Sequence, residues 1–139
     1  DRSIFKIVDL DEAWAFLNVA QGETLSNKLV RAGRAMNAGV YFVTQSSGDV
    51  SKESLKNNIG LKFAFRSTDT NEIKQTLDFF GLDSEDENNQ KRLRNLENGQ
   101  CLMQDLYGRV GVVQIHPVFV ELLHAFDTRP PIKSEVDLE

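Results

Sequence analysis

"KIVDLDEAW", residues 6–14, sets three carboxylates within four positions, behind an apolar run and before a tryptophan. Ile4, Phe5, Ile7, Val8 and Leu10 are too many apolar residues for clean alternation, which predicts a strand over 4–10 covered on both faces. Two readings of its exit stand side by side. In one, Asp9, Asp11 and Glu12 solvate a strand that ends at the surface and opens an acidic helix. In the other, they form a metal and water site for nucleotide hydrolysis.

Working outward, residues 13–20 read as a helical turn or two, stopped near Gly22. Thr24 is placed to cap a second helix with Leu25, Leu29 and Met36 on one face, ended by Asn37 and Gly39. "VYFVTQ", 40–45, reads as a second buried strand, and "SSGDVS" after it as a loop. A short helix is expected over 52–58, and "LKFAF", 61–65, reads as a third strand ending at Arg66. Asp69 and Glu72 have capping-box spacing ahead of Ile73, Leu77 and Phe80, a stripe that stops at Gly81. Ser84 and Glu87 repeat the device for a helix closed by Lys91, Arg92 and Arg94, so its charges oppose the helix dipole. "QCLMQDL" and "RVGVVQI" flank Tyr107-Gly108 as a hairpin. Residues 117–129 fit a short helix or an extended segment equally well, and "PPIKSEVDLE" reads as a tail. The organisation expected is one domain over 1–130 with a tail over 131–139.

Strands that alternate with helices imply parallel pairing through right-handed crossovers, hence a three-layer α/β sheet. Such sheets keep their chemistry at the carboxyl ends of the strands. Three exits are then comparable along one edge: Asp11-Glu12, Thr44-Gln45 and Arg66.

The bulk properties exclude several classes. The 139 residues suit one soluble domain, with 40% hydrophobic and 27% charged residues. No apolar run reaches the length of a membrane span, and the start lacks a signal-peptide layout. A net charge of −5 argues against a broad basic face for nucleic acid. The single Cys101 cannot form an internal disulfide, which fits a reducing compartment, and it reads as a small core residue. His116 and His124 lack partners at zinc-ligand spacing. "NNQKRLR", 88–94, reads as a solvated helix face.

A hydrolytic nucleotide site needs a carboxylate for Mg²⁺, a carboxylate or amide for the attacking water, and a cation for the developing phosphate charge. "IVDLDE", 7–12, fits the Walker B pattern of apolar residues followed by Asp-Glu, except that Asp9 stands where an apolar residue is usual. On this reading Asp11 holds Mg²⁺ through water and Glu12 polarises the nucleophilic water. Gln45, at the next exit, has an amide that can donate to a γ-phosphate and accept from water. Thr44 precedes it at the nucleotide edge. Arg31 and Arg34, a helical turn apart, with Arg66 and Arg109, are candidate fingers toward a neighbouring subunit's phosphate. Trp14 reads as a helix-face anchor.

"DEAWAFL", "LVRAGRAMNAGVYFVTQSSGDV", "NNIGLKFAFRSTDTNEIKQTLDFFGL" and "LENGQCLMQDLYGRVGVVQIHPVF" together resemble the C-terminal end of the large conjugation ATPases of type IV secretion systems. The likeness, particularly to versions on Gram-positive conjugative transposons, runs from about residue 4 to residue 130. It implies a RecA-like P-loop ATPase fold, ATP and Mg²⁺ as cofactors, and a hexamer working beside other conjugation-channel proteins. It further implies a cytoplasmic protein, peripheral at the inner face of the cell membrane, with DNA contacted indirectly at most. Asp11 and Glu12 match the family's Walker B pair and Gln45 its following glutamine; Arg31, Arg34 and Arg66 fall in segments where the family carries arginines. One departure stands out. The G-x-x-x-x-G-K-[ST] loop is absent, since neither Lys52 nor Lys133-Ser134 has the required glycines before it. The chain therefore reads as the C-terminal half of an ATPase domain, with the rest upstream of Asp1. Hydrolysis is expected of the intact parent and not of this fragment. The missing P-loop strand would lie between "VYFVT" and "LKFAF", so those strands are expected either to pair directly or to associate through the gap as a dimer. The alternative, from another class, is a non-catalytic assembly or docking module of a membrane-associated complex, in which Asp11 and Glu12 only solvate a helix start.

Overall fold

The computed structural model describes residues 3–50 and 56–125. The tail over 131–139 and most of the helix expected over 52–58 lie outside the described residues. In chain order the elements are β1 (Lys6–Leu10), α1 (Ala13–Leu17), α2 (Ala20–Met36) and β2 (Ala38–Phe42). A 3₁₀ turn (Ser47–Val50), β3 (Lys62–Ala64), α3 (Thr70–Phe80), α4 (Glu87–Arg94), β4 (Gln100–Gln104), β5 (Val110–Gln114) and α5 (Val120–Ala125) complete them. The class is mixed α/β, with two sheets instead of one. β1 pairs with β2 in parallel, Lys6 opposite Ala38 through Leu10 opposite Phe42. β3, β4 and β5 form a separate antiparallel sheet in that order.

The first two strands thus behave as their crossover predicts, and the third does not. β3 runs antiparallel along the hairpin strand β4, Lys62 facing Gln104 and Ala64 facing Leu102. The alternation of "LKFAF" suits such a strand, with Phe63 on an open face, whereas a parallel strand covered on both faces reads as a continuous apolar run. β2 and β3 share no ladder, so the expected direct pairing of these two strands is absent.

β1 is also not covered on both faces. Val8 and Leu10 turn inward, while Ile7 is 58% exposed beside an exposed Asp9. On that same face Asp9 stands opposite the exposed Tyr41 of β2. An aspartate is tolerated here because its carboxylate meets solvent.

Gly22 does not stop a helix. It lies inside α2, where an added Cβ would come within 1.9 Å of Phe16 O, so it lets α2 pass close over α1. Gly33 does the same against Ala38 O, at 2.7 Å. Thr24 is accordingly no cap; its hydroxyl bonds back to Ala20 O at 2.9 Å within the helix. The side of α2 that is buried carries Gly22, Ser26 and Gly33, whereas Leu25 and Met36 are exposed. Close backbone approach, and not large apolar volume, decides how α2 packs. Asn37 ends it in the left-handed conformation, φ 51°, as expected of a C-terminal asparagine.

Most of the buried apolar side chains belong to the second half: Ile73, Leu77, Phe79, Phe80, Leu93, Leu96 and Leu102 join Ala13, Leu17 and Val50 in one cluster. Cys101 is fully buried in β4, as a small core residue should be. Asp69 caps α3 by accepting from Glu72 N at 2.8 Å, and Gly81, φ 73°, closes it while Leu82 N reaches back to Leu77 O at 2.9 Å. Three side chains satisfy the terminal carbonyls of α3: Lys56 on Asp78 O at 2.7 Å, Lys62 on Phe79 O at 2.7 Å and Gln104 on Phe80 O at 3.0 Å. Burial, then the charge on Lys56, lowers the Lys62 pKa; its ammonium also lies 4.5 Å from the Phe79 ring centre. α4 is capped by Asp86, which accepts from Asn88 N at 2.8 Å, and not by Ser84. Its outer face is solvated and Leu93 is its buried residue, with Lys91, Arg92 and Arg94 in the last turn. In the β4–β5 turn Asp105 accepts from Tyr107 N, Arg109 N and Arg109 Nε at 2.9, 2.9 and 2.6 Å. Burial works to raise the Asp105 pKa, but these bonds and the Arg109 charge hold it below its ordinary value. Residues 120–125 are the helix α5.

Candidate functional site

The loop after β1 and the loop after β2 leave the parallel pair at the same end. Parallel register makes that unavoidable: Leu10 sits opposite Phe42, so the next residues of both strands emerge together. Two backbone bonds extend the ladder past the strands, Val43 N to Leu10 O at 3.0 Å and Ala13 N to Val43 O at 2.9 Å.

Glu12 occupies the tip of the first loop in the left-handed conformation, φ 52° and ψ 45°. Such a backbone is unfavourable for glutamate and persists only where surroundings hold it. Three contacts do so. Asp11 Oδ1 accepts from Glu12 N at 2.9 Å, Glu12 Oε1 accepts from Gln45 Nε2 at 3.0 Å, and Glu12 Oε2 accepts the Trp14 indole N–H. Trp14 is 45% exposed, so its role is to hold the carboxylate and not to anchor a helix face. Asp11, Glu12 and Gln45 are all exposed, which leaves their remaining lone pairs open to solvent or ligand.

Gln45 lies beyond β2, which runs 38–42 and not 40–45, so a loop and not the rigid strand carries it. That loop is heavily bonded. Thr44 Oγ1 donates to Asp49 Oδ2 at 2.8 Å and accepts from Ser46 N at 3.4 Å. Ser46 Oγ donates to Glu72 Oε2 at 2.8 Å, and Ser47 N donates to Glu72 Oε1 at 2.7 Å. Glu72 therefore completes only half of a capping box: its backbone is capped by Asp69, while its side chain turns to the loop. The linear pattern hid this, because the spacing that predicts a reciprocal cap accounts for Glu72 without a distant partner. Ser46 and Asp49 carry no signal beyond loop composition.

The arginines are scattered. Arg31 is exposed on α2; the Arg34 side chain lies outside the described residues. Arg66 follows β3, in the other sheet, and so is not aligned with the β1 and β2 exits by strand pairing. Arg109 is bound to Asp105 in the hairpin turn. Among the described residues no group of three or more His, Cys, Asp or Glu could hold a metal ion alone. A Mg²⁺ held by one carboxylate, waters and substrate phosphates needs no such cage, and the hard oxygen donors of Asp11 and Glu12 suit it. No described helix is long and apolar enough to cross a membrane.

Comparison with known proteins adds two findings. Residues 1–126 match the family described as AAA-like domain. Over 119 residues the chain is 34% identical to the uncharacterized protein YddE of Bacillus subtilis (strain 168), covering 86% of this chain. That stretch is 14% of YddE, so the chain spans about one seventh of the relative it matches.

Proposed function

The chain belongs to the AAA-like domain family, and from that premise we propose that it is the part of an ATP-hydrolysing motor that carries the water-activating residues. The observation that supports this most is the 3.0 Å bond between Gln45 and Glu12, made across the exits of adjacent parallel strands. A carboxylate and an amide so placed contact the two parties to phosphoryl transfer. Glu12 accepts the proton of the attacking water, and Gln45, donating through Nε2, keeps its carbonyl oxygen available to orient that water. The strained backbone at Glu12 fits a residue held for chemistry. Asp11 is the candidate Mg²⁺ contact through water; the ion, when bound, would offset phosphate charge during transfer. Thr44, with its hydroxyl engaged by Asp49, borders the nucleotide edge and shapes the loop that presents Gln45.

The absence of a glycine-rich lysine loop from these 139 residues implies that phosphate cradling comes from elsewhere in a longer polypeptide, in line with the small share of YddE that is matched. Arg31, Arg34 or Arg66 would supply the cation, most readily across a subunit boundary of a hexamer. The conjugation likeness supports DNA transfer or type IV secretion as the process driven, with channel proteins as partners and a site at the inner face of the membrane.

The test is made in the full-length polypeptide that carries this sequence. Glu12→Gln preserves size and hydrogen bonding but removes the proton acceptor, so ATP binding stays and turnover falls about 100-fold or more, within the range for a lost general base. Asp11→Ala weakens Mg²⁺-dependent nucleotide binding as well. Wild-type turnover by Glu12→Gln ends the assignment.

A further inference from the structure

Gln45 bonds to Glu12 at the open surface, yet the residues after it are fastened to a helix that is remote in sequence. Both carboxylate oxygens of Glu72 are occupied by consecutive residues of the Gln45 loop, Ser46 through its hydroxyl and Ser47 through its backbone N–H, at 2.8 and 2.7 Å. Thr76, one turn further along α3, adds a hydroxyl bond to Ser47 Oγ at 3.2 Å. Gly48 N closes the loop on Ser46 Oγ at 3.2 Å. Ahead of Gln45, Thr44 is held by Asp49. The loop is thus tied on both sides of the glutamine.

The anchor itself does not yield easily. α3 buries Ile73 and Leu77 almost completely, and its last carbonyls are held by Lys56, Lys62 and Gln104. Lys62 and Gln104 belong to β3 and β4, so α3 runs from the second sheet to the loop that ends the first. The placement of Gln45 against Glu12 is therefore set from the far sheet, through Glu72.

We propose that Glu72 is a positioning residue for Gln45: by fixing Ser46 and Ser47, it holds the Gln45 amide in register with the Glu12 carboxylate for hydrolysis. The inference rests on the hydrolytic reading of Glu12 and Gln45 given above.

A double-mutant cycle in the full-length polypeptide tests it, with steady-state ATP turnover as readout. Glu72→Ala frees the loop, and kcat falls about tenfold while KM for ATP stays within about twofold, because misplacement affects the reacting geometry and not nucleotide affinity. In a Gln45→Ala background the same substitution changes kcat by less than about twofold, since the residue through which it acts is gone. Glu72→Gln, which keeps one acceptor for Ser47 N–H and a donor for Ser46 Oγ, recovers most of the loss. A multiplicative fall in the double variant, or wild-type kcat in Glu72→Ala, overturns the proposal. Where Glu72→Ala fails to fold, Ser46→Ala in the same two backgrounds carries the test with the same criteria. Glu12→Gln separates the two assignments. If it turns over ATP like wild type, the hydrolytic reading falls and this inference with it; if it is inactive while the cycle is multiplicative, only the role of Glu72 falls.

Discussion

The two sheets divide the work of the molecule. The β3–β5 sheet with α3 and α4 holds most of the buried apolar side chains, and its helix ends are capped at both termini of α3. The parallel pair β1–β2 carries the candidate chemistry, and much of its apolar surface is open: Ile7, Tyr41 and Val43 are each at least half exposed. On the proposed reading, stability and chemistry are thus placed on different elements. They meet where Glu72 of α3 grips the loop after Gln45. The bonds from Gln45, Trp14 and Asp11, with the loop after Gln45 fastened to α3, explain how an exposed glutamate in a left-handed conformation stays where it is.

Truncation on the two sides should break this contrast if it is false. Leu77→Ala removes a side chain only 1% exposed in the centre of the cluster, with a cost of about 2–5 kcal/mol in urea unfolding. Ile7→Ala, on the open face of β1, costs about 0.5 kcal/mol or less in the 139-residue chain. Equal losses would show that the first sheet is as well packed as the second. In a longer polypeptide that covers this face, the Ile7 cost rises toward the buried range, which sharpens the comparison. A smaller effect isolates backbone from packing: Gly81 has φ 73° with open space where a Cβ would stand. Gly81→Ala therefore costs about 1 kcal/mol through conformation alone, seen as a lower unfolding midpoint with an unchanged slope. No loss would mean that the α3 terminus is not fixed as described.

Much of this division was readable in the chain, and the misreadings have physical causes. The 3.6-residue stripe Ile73, Leu77, Phe80 and the stop at Gly81 located α3, because local periodicity and a left-handed glycine report on one helix alone. The β1 and β2 exits came together as expected, since parallel pairing follows from the crossover between them. Four features were misread. Gly22 looked like a stop because a sequence shows the missing Cβ but not the Phe16 carbonyl that needs its absence. The alternation of "LKFAF" was itself the sign of an antiparallel strand with one open face, but it was outweighed by the strand–helix order, which favours parallel crossovers. Trp14 and Glu72 were absorbed by local roles, a helix anchor and a cap, and the partners that redefine them are a carboxylate two residues away and a loop 25 residues upstream.

The central claim is that Asp11, Glu12 and Gln45 surround the reacting end of a nucleotide. A crystal structure of the full-length Glu12→Gln polypeptide with ATP and Mg²⁺ tests it most directly, because on the proposed mechanism that variant binds nucleotide without hydrolysing it. The account predicts the γ-phosphate within hydrogen-bond distance of the Gln45 amide, with Asp11 facing the metal through a water molecule. A well-ordered nucleotide whose phosphates lie away from the exits of β1 and β2, with Gln45 turned from them, would contradict it.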